Sequence, residues 1–266
     1  MIKLIATDID GTILPPDGVF TAEVRFCINK LQNSGIKVVL VTGRMNKAAL
    51  LIRDELNLKT PVVSYQGGLI NDDGNMLYER YLTKEQAKKI INWAKKENIH
   101  INLYNNDILY SEQDSYEVQK YVQVQHINYT VKSFDQIDLN KVNKILAIDY
   151  NNPDRIDKFE KELPKVFPEL YIIKSTPHFL EFSNPEGSKY CAVKFLQKYW
   201  GIKEEETLTI GDQNNDIALL QAGGIKVAMG NASKELKDIA DYVTDTVLND
   251  GFVKAAEKFV IPDIKY

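Results

Sequence analysis

Lys3-Leu4-Ile5-Ala6-Thr7-Asp8-Ile9-Asp10-Gly11-Thr12 is the stretch on which the reading of this chain turns. Leu4 to Ala6 is a short apolar run, the pattern of a buried strand. It ends at two carboxylates one residue apart, followed by a glycine and a hydroxyl. In a parallel α/β sheet, sites form outside the carboxyl ends of the strands, which places Asp8 and Asp10 at the mouth of the sheet. On a strand that continued through them the two carboxylates would share a face, and their repulsion asks for a cation. Gly11 permits a sharp turn and brings backbone N–H groups near an anion. A loop of solvated acids after a strand fits the same residues.

Outward from this stretch the texture repeats. Val24, Cys27, Ile28 and Leu31 recur at helical spacing over 21–33, and Gly35 stops that helix. A second buried strand over 36–41 ends at Thr42-Gly43-Arg44, a helix follows over 46–56, and a third strand over 61–64 ends at Tyr65-Gln66-Gly67-Gly68. Strands alternating with helices predict a parallel sheet with helices on both faces. A hairpin turning at Asp73-Gly74 comes next. Near Leu82 the pattern changes. Thr83 and Gln86 make a capping box for a helix carrying Ala87, Ile90, Ile91 and Ala94 on one face. Paired strands mixed with helices then run to the turn formers Asn184-Pro185-Glu186-Gly187, after which the first texture returns. The predicted fold is α/β: a Rossmann-like parallel-sheet core of residues 1–82 and 185–266, interrupted by an inserted α+β domain of residues 83–184.

The 266 residues are 44% apolar and 26% charged, ordinary for a soluble globular protein and enough for two domains. A net charge of −4 argues against non-specific binding to nucleic acid or to anionic membranes. Cys27 and Cys191, the two cysteines, both sit in helical patterns and read as thiols. No apolar run is long enough to span a bilayer, and Asp8 precedes any segment of signal-peptide type, so a cytoplasmic protein is expected. His100, His126 and His178 are scattered without the spacing of a zinc site.

Further loops fall where they would face Asp8. Thr42-Gly43 ends a strand and opens a helix, where a hydroxyl and backbone N–H groups can hold a phosphate oxygen or simply cap the helix. Lys189 stands at a helix start, a slightly unfavourable place for a cation, which fits a buried anionic partner or simply a solvated surface lysine. Gly211-Asp212-Gln213-Asn214-Asn215-Asp216 crowds hard oxygen donors between a strand and a helix, which suits Mg²⁺ or an Asx-rich turn.

Together these loops resemble, in order, the four motifs of the haloacid dehalogenase-like (HAD) phosphohydrolases. Met229-Gly230-Asn231-Ala232 and Asn249-Asp250-Gly251 are similar to the closing segments of the Cof-type phosphatases, the branch with a large α+β cap inserted after the third strand (subclass IIB). The resemblance implies a phosphatase of small phosphate monoesters such as sugar phosphates, working through an aspartyl phosphate. Asp8 would be the nucleophile. Asp10 would protonate the leaving oxygen and then take a proton from water, which calls for burial or a neighbouring carboxylate to keep it protonated at first. Mg²⁺ would sit on Asp8, Asp212 and the backbone carbonyl of Asp10. The backbone of Ile9, with Thr42, Gly43, Lys189 and Asn215, would bind the phosphate, and Asp216 would orient Lys189. Specificity would reside in the cap, with Tyr104, Asn105, His178 and Phe179 as strand-end candidates. The partner implied is a small phosphorylated metabolite, with no nucleic acid and no membrane, and the chain a monomer or weak homo-oligomer. Two departures stand out: Gln66-Gly67-Gly68 where relatives often have Asn-Gly-Ala, and Tyr190 where glycine usually follows the lysine. A sugar-phosphate phosphomutase and a non-catalytic phosphometabolite-binding protein are the alternatives.

Overall fold

A computed structural model describes residues 1–125 and 127–261, and His126 lies outside the described residues. They divide into two compact units, 1–78 with 189–261, and 79–188. The two linkers pair with each other: Arg80 Nε donates to Glu186 at 2.5 Å and Asn184 Nδ2 to the Tyr81 carbonyl at 2.9 Å. Both linkers therefore go with the inserted unit.

Among the described residues the first unit holds a five-stranded parallel sheet. Its spatial order is Tyr242–Val243, Ile225–Ala228, Thr207–Gly211, Leu4–Thr7, Lys37–Leu40. Alternation along each strand feeds two cores. Ile5, Val38, Leu40, Leu208 and Ile210 pack with Val24, Ile28 and Leu31 of the helix Ala22–Asn33 and with Phe252 and Val253 of the helix Gly251–Phe259. Leu4, Ala6, Val39 and Val41 face the other way, onto Ala192, Val193 and Leu196 of the helix Lys189–Trp200. Burial on both faces is why these strands read as unbroken apolar runs, each large side chain contributing about 1.5–3 kcal/mol.

The third strand departs from expectation. Val62–Ser64 touches the parallel sheet through a single bridge, Val41 to Val63, and otherwise pairs antiparallel with Leu69–Asp72 in a separate three-stranded sheet. Left-handed backbone at Tyr65 and Gln66 turns the chain back before a longer parallel ladder can form.

The inserted unit is a six-stranded sheet, in the order Tyr171–Thr176, Phe179–Ser183, Val142–Ile148, His100–Asn105, Ile108–Ser111, Tyr129–Val131. Its pairs are antiparallel except the last, which is parallel. Tyr129–Val131 has no sequence signature, because it is three residues long and largely exposed. Ile101, Leu103, Ile145, Ala147, Leu180 and Phe182 form one core with the helices Lys84–Glu97 and Pro153–Val166. The expected capping box is present, Gln86 N–H donating to Thr83 Oγ1 at 3.2 Å and Thr83 N–H to Gln86 Oε1 at 2.9 Å. No helix among the described residues is long and apolar enough to cross a membrane.

Candidate active site

The parallel pairing sets the site. Leu4–Thr7 lies between Thr207–Gly211 and Lys37–Leu40 with Thr7 opposite Ile210 and Leu40, so the loops after these strands emerge side by side. Asp8 N–H extends the ladder to the Ile210 carbonyl at 3.0 Å, and there the strand stops. The Ile9 carbonyl accepts from the N–H groups of Thr12, Ile13 and Leu14 at 3.2, 3.0 and 2.9 Å, closing a tight turn. Gly11 enters it at φ +78°, and a Cβ there would lie 2.4 Å from Asp212 Oδ2. The Ile9 side chain is buried in the core, so only its backbone can serve a ligand.

This turn separates the two acids. Asp8 is buried, whereas the Asp10 side chain is 53% exposed. They do not share a strand face, and the burial expected for Asp10 is absent. Instead Arg44 grips Asp10 bidentately, Nε to Oδ2 at 2.8 Å and Nη2 to Oδ1 at 2.6 Å. The turn explains the difference: it directs Asp8 into the sheet's edge and Asp10 out toward the loop after the neighbouring strand.

Lys189 is not a surface lysine. It opens the helix Lys189–Trp200, only 1% exposed, and its Nζ donates to Asp8 Oδ1 at 2.7 Å and Asp216 Oδ1 at 2.6 Å. Asp216 Oδ2 accepts the N–H groups of Asp212 and Gln213 at 3.0 and 3.1 Å. Asp212 meets neutral donors: Thr12 Oγ1 at 3.2 Å, Gln213 Nε2 at 3.1 Å and Asn231 Nδ2 at 3.4 Å. Tyr190, the residue at the departure after the lysine, turns outward and is 40% exposed.

Three buried carboxylates thus share one ammonium, which touches two of them, Asp8 and Asp216. Burial raises Asp8 well above the usual carboxylate range, Lys189 opposes this, and Asp216, Asp212 and Asp10 add to the rise. Burial, then the neighbouring Asp216, pushes Asp212 up to about 7. Burial works to lower Lys189, but Asp216 and Asp8 overcome it and hold the ammonium above the ordinary lysine range. The excess negative charge calls for a cation. Oxygens of Asp8, Asp212 and Asp216 lie within 4.8 Å of one another. Asp216 has both oxygens engaged, by Lys189 and by two backbone N–H groups. Asp8 gives Lys189 only Oδ1 and Asp212 meets no charged donor, so these two are the fitting ligands for a hard divalent ion.

The remaining predicted residues line the neighbouring loops. Thr42 does not cap a helix: the helix Asn46–Glu55 has Met45 at its N-cap, and Thr42 Oγ1 accepts from Arg44 N–H at 3.1 Å. Asn215 Nδ2 donates to Gln66 Oε1 at 3.3 Å. Three residues to which the sequence assigns no role belong to the site. Arg44 holds Asp10, Thr12 holds Asp212, and Asn231 ties Asp212 to the Gly11 carbonyl, which it meets at 2.9 Å. Each lies inside a quoted motif, but only folding reveals what it touches.

Fold and site together are those of an α/β enzyme with an acidic, lysine-braced centre at the carboxyl edge of its sheet. The chain belongs to the haloacid dehalogenase-like hydrolase family, whose model matches residues 5–255. Phosphatase YwpJ of Bacillus subtilis is 30% identical over 92% of this chain and 95% of its own length. From the same organism, 5-amino-6-(5-phospho-D-ribitylamino)uracil phosphatase YwtE is 27% identical over 91% of this chain and 93% of its own. A haloacid dehalogenase-like hydrolase structure from B. subtilis superposes with a TM-score of 0.87 at 28% identity, covering 97% of this chain and all of that one.

Proposed function

We propose that this protein is a cytoplasmic, Mg²⁺-dependent phosphatase of small phosphate monoesters, acting through an aspartyl phosphate on Asp8. The observation that carries the reading is Asp8 buried against Lys189, with Asp212 and Asp216 beside them. That the relative YwtE is named for a phosphorylated ribitylaminouracil supports a sugar-like monoester as substrate.

In this reading an Asp8 carboxylate oxygen attacks phosphorus and the ester oxygen leaves. Asp10, released from Arg44 and protonated from solvent, gives that oxygen its proton. Water then attacks the phosphoryl group, Asp10 takes its proton, and Asp8 is restored as phosphate departs. The backbone of Ile9, with Thr42, Gly43, Lys189 and Asn215, supplies donors to the phosphate oxygens. Asp216 aims Lys189. Asp8, Asp212 and the Asp10 carbonyl would hold Mg²⁺, which when bound offsets the repulsion between carboxylate and phosphate. Residues 79–188 would read the rest of the substrate. Of the strand-end candidates there, Tyr104 donates to Tyr121 and Asn105 to the Asp138 carbonyl, while Phe179 meets Tyr121 and Tyr150 edge to face and His178 Nδ1 meets the Asp149 carbonyl.

A panel of phosphorylated metabolites with Mg²⁺ or with EDTA tests the reading. Free phosphate with Mg²⁺ alone is expected. Isomerised sugar phosphate would indicate a phosphomutase, and tight binding without turnover a binding protein.

A further inference from the structure

We infer that Gln66 is a positioning residue that fixes which end of the Asn215 amide faces the phosphate. The inference rests on the reading of this centre as a phosphatase site.

Gln66 follows the strand Val62–Ser64 and is buried. Tyr65 and Gln66 have φ values of 52° and 59°, two consecutive side-chain-bearing residues in the left-handed region. Glycine, asparagine and aspartate are the usual occupants of that region, and strain of this kind persists only where its surroundings impose it. Here the surroundings belong to the site. Tyr65 N–H donates to the Arg44 carbonyl and Gln66 N–H to the Thr42 carbonyl, each at 3.0 Å. The bent backbone is thereby fastened to the loop that carries Thr42 and Gly43.

The side chain then reaches a second loop. Gln66 Oε1 accepts from Asn215 Nδ2 at 3.3 Å. Gln66 Nε2 occupies the space a side chain at position 43 would need: a Cβ on Gly43 would lie 2.5 Å from it. The loops it joins follow Lys37–Leu40 and Thr207–Gly211, strands separated in the sheet by Leu4–Thr7, which leads to Asp8. Gln66 therefore bridges over the strand of the nucleophile.

The chemistry follows from donor and acceptor matching. Asn215 must present N–H to a phosphate oxygen, since its carbonyl end would repel one. An amide free to flip would offer either end. Gln66 presents Oε1, and while it does only the orientation with Nδ2 toward it forms a hydrogen bond; the Asn215 amide flipped alone would set oxygen against oxygen. Nδ2 carries two hydrogens, and the second remains for the ligand. The cost of this orientation is visible: Asn215 Oδ1 is buried without a partner, an arrangement native structures rarely keep without reason.

The test combines a double-mutant cycle with a direct view of the amide. Gln66→Met keeps the length of the side chain and removes the acceptor. With Mg²⁺ present, the variant is expected to raise KM and the inhibition constant of inorganic phosphate about fivefold, the scale of one neutral hydrogen bond, with a smaller change in kcat. Asn215→Ala should weaken phosphate similarly, and the double variant should add nothing to Asn215→Ala. In NMR spectra, the side-chain N–H signals of Asn215, assigned by their loss in Asn215→Ala, should be separate and protected in the wild type. They should shift and lose protection in Gln66→Met, and stay protected in Gln66→Glu, which keeps the shape and the acceptor. Unchanged Asn215 signals in Gln66→Met would overturn the inference, as would a full fivefold effect of Gln66→Met in the Asn215→Ala background. Should the wild type neither bind nor release phosphate, the function reading fails, while the NMR signals still decide whether Gln66 holds Asn215.

Discussion

Lys189 and Asp216, 27 residues apart in sequence, meet at 2.6 Å with both side chains 1% exposed. Asp216 is itself fixed by two backbone N–H groups, so the contact aims the ammonium at Asp8 instead of leaving it free to reorient. Removing one member of a buried pair strands its partners, a loss of about 3–5 kcal/mol. Lys189→Met should therefore lower the stability of the metal-free protein by roughly that amount, read from urea unfolding in EDTA. Asp216→Asn, which still accepts the backbone N–H groups, should cost less. Equal stability of Lys189→Met and wild type would show that the lysine does not neutralise this cluster.

Divalent metal should stabilise the fold through Asp212. A ligand at a hundred times its Kd adds about 2.7 kcal/mol. Mg²⁺ should raise the wild-type melting temperature, and Asp212→Asn should remove most of that gain. Gly11→Ala should do the same with every carboxylate retained, because its Cβ would fall 2.4 Å from Asp212 Oδ2 and the φ of +78° disfavours alanine. An undiminished Mg²⁺ response in both variants would place the ion elsewhere.

Asp10 should matter according to the leaving group. General acid catalysis is worth about 10²–10⁴-fold where the leaving oxygen needs a proton. Asp10→Asn should slow a sugar phosphate far more than p-nitrophenyl phosphate. The same factor on both substrates would assign Asp10 a role other than proton transfer.

The inserted unit carries its own pH dependence. Burial holds His100 below the usual histidine range, against the opposing hydrogen bond to Asn102 and the charge of Glu117. Its Nε2 lies 2.8 Å from Asn102 Oδ1 and its Nδ1 3.0 Å from Ser115 Oγ. The unfolded chain therefore takes up the proton at a higher pH than the fold does. This contribution to stability is complete above about 6.5 and is lost as the pH falls from there through the folded value. His100→Gln should flatten that part of the curve, seen in urea midpoints at about pH 7.5 and pH 5.5. A wild-type slope in the variant would assign the acid sensitivity to other groups.

The sequence made the parallel core legible because Leu4–Thr7, Lys37–Leu40 and Thr207–Gly211 are buried on both faces, and each ends at a chemically distinctive loop. It made Asp8, Lys189 and Asp212 candidates by residue type and position. It did not show that Val62–Ser64 keeps only one parallel bridge to that sheet, since the cause is the backbone at Tyr65 and Gln66, residue types with no signature for a left-handed turn. Nor did it show the exposed Asp10 in the grip of Arg44. Alternation along a strand predicts a shared face for Asp8 and Asp10, and the three N–H groups converging on the Ile9 carbonyl end the strand first.

In the proposed mechanism Asp8 carries the phosphoryl group. Acid quenching during turnover with Mg²⁺, followed by mass analysis of the peptides, tests it most directly. A phosphoryl adduct is expected on the peptide containing Asp8, mapped to that residue, and is expected to be absent from Asp8→Asn, whose turnover should fall by at least about a thousandfold. An Asp8→Asn protein, free of deamidation, that still turns over at an appreciable rate, or an adduct mapped to another residue, would contradict it.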